Sequence, residues 1–321
     1  MADERTRNAA LAFVFPGQGS QSLGMLSDWS GERILRDTFA EAGDVLGYDL
    51  WRLTQEGPQE DLDRTDRTQP ALLTAGVALW RLWLERGGPA PGVMAGHSLG
   101  EYTALVCAGS LAFGEAVQLV ADRGRYMQEA VAEGAGSMAA ILGLDDDVVR
   151  QVCADAADGQ VAAPVNFNAP GQVVIAGHRA AVERAVEGAR QAGAKKVVPL
   201  AVSAPSHCEL MRPAAERLAA RLGGVEVAVP SIPVVHNVDV GVCPDTGCVR
   251  DCLVEQLANP VRWSETVLSL AERGISHLVE CGPGKVLSGL TRRIDRKLQA
   301  GHLGDPAGFD KAFQEVAGDG A

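Results

Sequence analysis

Short apolar runs that stop at glycine or proline, each leading into a stretch of helical periodicity, recur along this 321-residue chain. Leu11 to Phe15 reads as a buried strand closed by Pro16-Gly17, and Gly92 to Gly96 as another that runs into a turn at His97-Ser98. Gln69 to Leu84 and Phe113 to Val131 carry the apolar spacing of packed helices. Later, the short strands Pro233 to Asn237 and His277 to Glu280 precede helical patterns at Val249 to Leu257 and Lys285 to Ile294. Strands alternating with helices predict an α/β domain built on a parallel sheet.

The middle of the chain has another rhythm. Ser137 to Leu142, Val161 to Phe167, Gln172 to Ala176 and Lys195 to Val202 read as strands, with helices at Asp146 to Ala156 and Ala180 to Ala192. That βαββαβ order is the ferredoxin-like unit, with Pro170-Gly171 as its hairpin turn. The expected layout is a large domain from residues 9–132 and 203–300, a small inserted subdomain at 133–202, and a tail at 301–321. The tail is weakly patterned, has room for one short helix, and is the segment whose loss should matter least.

A hydrophobic content of 46% suits a folded enzyme with a substantial core. No apolar run approaches the roughly 18 residues of a membrane span, and Met1 to Asn8 mixes acidic and basic side chains, unlike a signal peptide. The formal charge of -12 argues against nucleic acid, which needs clustered positive charge to release its counterions. An anionic ligand must then meet a local patch, either Lys195-Lys196 or the run Arg292, Arg293, Arg296 and Lys297; the latter also reads as solvated helix-end charge. Seven irregularly spaced cysteines predict reduced thiols and a cytoplasmic protein. Cys243, Cys248 and Cys252 with His236 lack the C-x-x-C pairing of a zinc site, and a helical reading turns them in different directions, so neither metal nor cofactor is expected.

Gly96-His97-Ser98-Leu99-Gly100 is a G-x-S-x-G run between a predicted strand and a predicted helix. In that context the serine sits on a tight turn near the positive end of a helix dipole, as a nucleophile would, although a serine N-cap has the same local sequence. A serine nucleophile needs a base. His97 adjoins Ser98 and should project away from it, His178 lies in a turn of the small subdomain, and His277 and His302 have no motif around them. His207, after Pro205-Ser206, and His236 remain. Arg123 shares a helix face with Leu119, Val120 and Met127, so its guanidinium is drawn inward and needs a partner, either an internal acid or an anionic substrate.

On these residues the chain resembles the bacterial malonyl-CoA:acyl carrier protein transacylases and the acyltransferase domains of polyketide and fatty acid synthases. The likeness runs from Phe13-Val14-Phe15-Pro16-Gly17-Gln18-Gly19-Ser20-Gln21 through the Ser98 pentapeptide and Arg123-Gly124-Arg125 to Asn166-Phe167-Asn168-Ala169-Pro170-Gly171-Gln172 and Gly282-Pro283-Gly284-Lys285. It implies an α/β-hydrolase-like large domain and a Ser98-His207 dyad in which the Gln256 carbonyl orients the histidine. It further implies an oxyanion hole from the Gln18 and Leu99 N–H groups, Arg123 on the malonyl carboxylate, Asn168 in the substrate site, and Lys195 and Lys196 near coenzyme A phosphates. The implied substrates are malonyl-CoA and acyl carrier protein, and the implied state is a monomer. Two positions depart from the family pattern: Ala204 replaces a larger aliphatic residue, and His236 stands where Asn is usual. A hydrolase of the α/β class shares the pentapeptide, but its chain order would nominate His277 or His302 as base.

Overall fold

The computed structural model describes residues 7–200 and 204–318. Its strands are β1 (Arg7–Phe15), β2 (Ala90–Gly96), β3 (Gly136–Leu142), β4 (Ala162–Ala169), β5 (Gln172–His178), β6 (Lys196–Pro199), β7 (Val234–Val235), β8 (His277–Glu280) and β9 (Gln299–His302). Five of them form a parallel sheet in the order β7-β2-β1-β8-β9. The central strand β1 is apolar on both sides: Leu11, Phe13 and Phe15 enter one core cluster, while Ala12 and Val14 enter the other. That double burial is why the run reads as continuously hydrophobic rather than alternating. The chain leaves β1 for β2 on one side and returns for β8 on the other, so the sheet reverses its order around β1. In open parallel sheets the crevice beyond the carboxyl ends of the strands at such a reversal is where ligands bind.

The remaining four strands form an antiparallel sheet in the order β4-β5-β3-β6, the ferredoxin-like arrangement. Ala139, Ile141, Val173 and Ile175 pack on the helices Asp146–Ala157 and Arg179–Gln191. The other face carries Met138, Val165 and Val174 and is turned toward the large sheet. Gly171, at φ +69, supplies the left-handed residue of the β4–β5 hairpin turn.

Several expectations change. The strand over Pro233–Asn237 contracts to Val234–Val235, and the following helix begins earlier, at Thr246, because Asp245 caps it by accepting the Cys248 N–H at 2.9 Å. The tail is part of the core rather than expendable. After β9, the helix Pro306–Gly318 buries Phe309, Ala312 and Val316, and Phe309 meets the rings of Trp29 and Trp83 edge-on at 5.4 and 5.6 Å. Its apolar stripe is short and set in a glycine-rich tail, which hides it from a periodicity reading. The thiols are also not all reduced: Cys243 and Cys248 are joined as a disulfide, the loop and the helix start placing their Cα atoms 5.5 Å apart. Among the described residues no helix is long and apolar enough to cross a membrane.

Candidate active site

Ser98 sits between β2 and the helix Leu99–Cys107 with φ 51 and ψ -110, a backbone state that side chains rarely adopt. The flanking glycines make that turn possible. A Cβ on Gly96 would lie 1.9 Å from the Gly100 carbonyl carbon, and one on Gly100 would lie 1.9 Å from the Phe15 carbonyl oxygen. The Ser98 side chain does not cap its helix, which removes the N-cap reading. Asn237 staples the turn instead, accepting the Ser98 N–H at 2.7 Å and donating to the Gly96 carbonyl at 2.6 Å.

His207 is 4% exposed, and its imidazole lies between two partners. Nδ1 is 2.8 Å from the Gln256 carbonyl oxygen, and Nε2 is 2.8 Å from Ser98 Oγ. A carbonyl only accepts, so the ring proton is on Nδ1 and the Nε2 lone pair faces the serine hydroxyl. Burial, reinforced by the Arg123 charge, pushes the His207 pKa down to about 3, which keeps the ring neutral at physiological pH. The third position of this array is a backbone carbonyl rather than a carboxylate.

Arg123 is 1% exposed. Nη1 donates to Gln69 Oε1 at 2.8 Å, and Nη2 donates to Gln256 Oε1 at 3.0 Å and to Ser98 Oγ at 3.4 Å. These partners are neutral oxygens, and Nε is a buried donor without a partner among the described residues. Burial lowers the guanidinium pKa, opposed by Tyr102 and Glu101, but an arginine in a protein stays charged. The nearby Glu101 carboxylate is committed elsewhere, to His236, the Asn237 N–H and Gln256 Nε2. The result is a desolvated cation beside the serine with no contacting carboxylate among the described residues to neutralise it.

These groups line a cavity of about 400 Å³ between the two sheets, bounded also by Gln18, Leu99, Met138, Asn168 and Ala204. Leu99 opens its helix, so its N–H lacks an intrahelical acceptor. A Cβ on Gly17 would lie 2.5 Å from the His97 carbonyl oxygen, so the loop after β1 presses against the serine turn and brings Gln18 to the wall.

The same architecture recurs in known proteins. Residues 12–299 match the family model described as acyl transferase domain. The malonyl CoA-acyl carrier protein transacylase of Salmonella typhimurium is 57% identical over 305 residues, covering 95% of this chain and 99% of that one. The chain belongs to the acyl transferase family. A malonyl-CoA:acyl carrier protein transacylase structure from Xanthomonas oryzae superposes with a TM-score of 0.95 at 53% identity, covering 97% of this chain and 99% of that one. A malonyl-transacylase solved in complex with a type II PKS acyl-carrier protein gives 0.94 at 55% identity, covering 96% and 100%.

Other expected positions in this acyl transferase divide between wall and rim. His97 does not point away from the site: it lines the cavity, with Nε2 2.8 Å from Asn168 Oδ1 and its ring 5.5 Å from that of Trp263. Being next in sequence to Ser98 is a poor guide here, because a turn at positive φ swings successive side chains to unexpected sides. Asn168 thereby ties β4 to the serine turn. Lys195 and Lys196 lie outside the wall, exposed at the edge strand β6. Lys196 pairs with Leu142, which also pairs with the cavity residue Gln172, so Lys196 shares the cavity-facing side of the sheet one strand farther out. His277 lies on β8 beside Ser276 and His302 on β9 near Asp305, and neither is part of the cavity wall. Gln69 and Asn237, read from the sequence only as element ends, prove to hold the arginine and the serine turn; only the departure at the neighbouring His236 hinted at the latter.

Proposed function

We propose that this protein transfers a malonyl group from malonyl-CoA to the phosphopantetheine thiol of acyl carrier protein through an ester on Ser98. The observation that carries this reading is a neutral imidazole, held by a carbonyl and facing a serine hydroxyl, beside a buried arginine that no carboxylate among the described residues contacts. His207 Nε2 takes the Ser98 proton as Oγ attacks the malonyl thioester carbon. The tetrahedral oxyanion is held by the Gln18 and Leu99 N–H groups, donors of a kind whose individual removal costs about 3–4 kcal/mol of transition-state stabilisation. Collapse expels coenzyme A, whose sulfur receives the proton from His207. The carrier thiol then gives its proton to His207, attacks the ester carbonyl and regenerates Ser98 as the malonyl group departs on the new thioester.

Arg123 receives the malonyl carboxylate in bidentate fashion, exchanging amide partners for a charged one. Gln256 serves twice, through its carbonyl on His207 and its side chain on Arg123, and Asn168 shapes the wall through His97. Lys195 and Lys196 meet coenzyme A phosphates at the rim. Ala204 leaves the acyl end of the cavity wider than a larger aliphatic residue would. The large domain comprises residues 9–132 and 203–300, completed by the tail whose helix Pro306–Gly318 packs into its core, with the small subdomain inserted at 133–202, and the enzyme works in the cytoplasm as a monomer. The product supplies fatty acid or polyketide chain elongation.

The test is covalent. Incubation with malonyl-CoA adds one malonyl mass to the protein, and Ser98→Ala removes both that adduct and transfer while leaving the circular dichroism spectrum unchanged. An adduct of equal yield on the alanine variant refutes the serine ester.

A further inference from the structure

Outside the cavity wall, His236, Cys243 and Cys252 place one imidazole nitrogen and two Sγ atoms within 4.8 Å of one another. We propose that these three residues and Cys248 hold a zinc ion when Cys243 and Cys248 are reduced. Zinc in a structural site takes four ligands in a tetrahedron, with Zn–S near 2.3 Å, which sets two thiolates about 3.8 Å apart. The Cys243 and Cys252 sulfurs are 3.7 Å apart. Cys248 is already at the cluster through its bond to Cys243, and it lies four residues before Cys252 on the helix Thr246–Glu255. That i,i+4 spacing puts both thiols on one helix face, which undoes the expectation that a helix would turn them apart.

The second observation is the histidine. His236 is fully buried, with Nδ1 2.8 Å from Glu101 Oε1. Its Nε2 is buried and finds no hydrogen-bond partner among the described residues. A buried imidazole nitrogen left unsatisfied is costly, and one whose opposite nitrogen donates to a carboxylate has the tautomer and orientation of a zinc ligand. Glu101 thus occupies the position from which a carboxylate orients a metal-bound histidine.

A thiol reductant opens the Cys243–Cys248 disulfide, itself becoming a disulfide and leaving two protein thiols. Zinc then displaces three thiol protons to solvent and bonds three thiolates and the neutral imidazole. The ion ties the segment around Asn237, which holds the serine turn, to the helix leading into Gln256, whose carbonyl holds His207. The disulfide clamps only Cys243 to the start of that helix, whereas the metal would also engage Cys252 and His236. This inference does not depend on the substrate assigned above.

The experiment uses full-length protein reduced under argon, with all seven thiols counted before metal is added. One equivalent of cobalt(II) should give the intense thiolate-to-cobalt charge-transfer band and visible bands of a tetrahedral site, zinc should bleach them, and about one zinc should survive desalting. Cys252→Ser and His236→Asn should each weaken zinc retention at least about tenfold, as should Cys248→Ser at a half-buried position where folding is least disturbed. Cys153→Ser, in the core of the small subdomain, should bind zinc like the parent. Retention below a tenth of an equivalent by the reduced parent, or undiminished retention in folded Cys248→Ser and Cys252→Ser, overturns the site.

Discussion

The wall of the cavity and its rim both carry positive charge, and they differ in almost every other respect. Arg123 is 1% exposed and held by two glutamine oxygens, whereas Lys195 and Lys196 stand in solvent at the edge of the small sheet. Coulomb energy scales inversely with the effective dielectric, so the same charge acts strongly and locally at the wall and weakly at the rim, where salt screens it within about 8–10 Å. On the proposed function the wall would discriminate among acyl groups, while the lysines would gather anions without choosing among them. Experiments that alter one group at a time test this division.

The largest effect belongs to the wall. His207→Ala removes the base 2.8 Å from Ser98 Oγ and should slow acylation by about a thousandfold or more, measured as burst formation of the malonyl ester. His302→Ala should leave that burst nearly unchanged; an equal loss there would revive a hydrolase-like chain order. Arg123→Ala comes next. A malonyl carboxylate buried without its partner costs roughly 3–5 kcal/mol, while acetyl-CoA carries no such charge. The malonyl-to-acetyl ratio of kcat/KM should accordingly fall by about two to four orders of magnitude in folded protein. A parallel fall for both substrates would make Arg123 structural and break the contrast between wall and rim.

The pH dependence tests the burial of the wall directly. The folded His207 pKa of about 3 lies below the ordinary value of about 6.5, so above pH ~6.5 the ring is neutral in both folded and unfolded chains. As pH falls from about 6.5 toward 3 the unfolded chain gains a proton that the folded one refuses, and stability contributed by the buried neutral ring is lost. Acylation should show no inflection near pH 6.5 from His207, and the parent Tm should fall across that acid window more steeply than that of His207→Gln. An inflection near 6.5 in acylation would place the imidazole in solvent. The smallest effect is at the rim: replacing Lys195 and Lys196 together by Gln should raise KM for malonyl-CoA a few-fold at low salt and leave kcat unchanged. An unaltered KM at low salt returns both lysines to plain solvated surface.

Local chemistry was legible wherever neighbours in sequence do the structural work. The glycines of Gly96-His97-Ser98-Leu99-Gly100 declare a turn without room for a Cβ, and the 2.0-residue and 3.6-residue periods separate β3 and β5 from the helices packed on them. The inward face of the Arg123 helix is likewise visible in Leu119, Val120 and Met127. The short, glycine-flanked stripe of the last helix was too weak to show that Phe309 reaches Trp29 and Trp83.

By itself the sequence determined an α/β parallel sheet, an antiparallel βαββαβ insertion, a serine on a strand-to-helix turn and an arginine turned inward, because each follows from steric and apolar patterns spanning a few residues. Only the tertiary structure decided which distant groups meet. Ser98 and His207 are 109 positions apart, Ser98 N and Asn237 139, and Arg123 and Gln256 133, and no local period encodes those encounters. The directions of Cys243, Cys248, Cys252 and His236 depend on how one loop lies against one helix. Periodicity says which face of an element is buried; the packing of one element on another decides what that face touches.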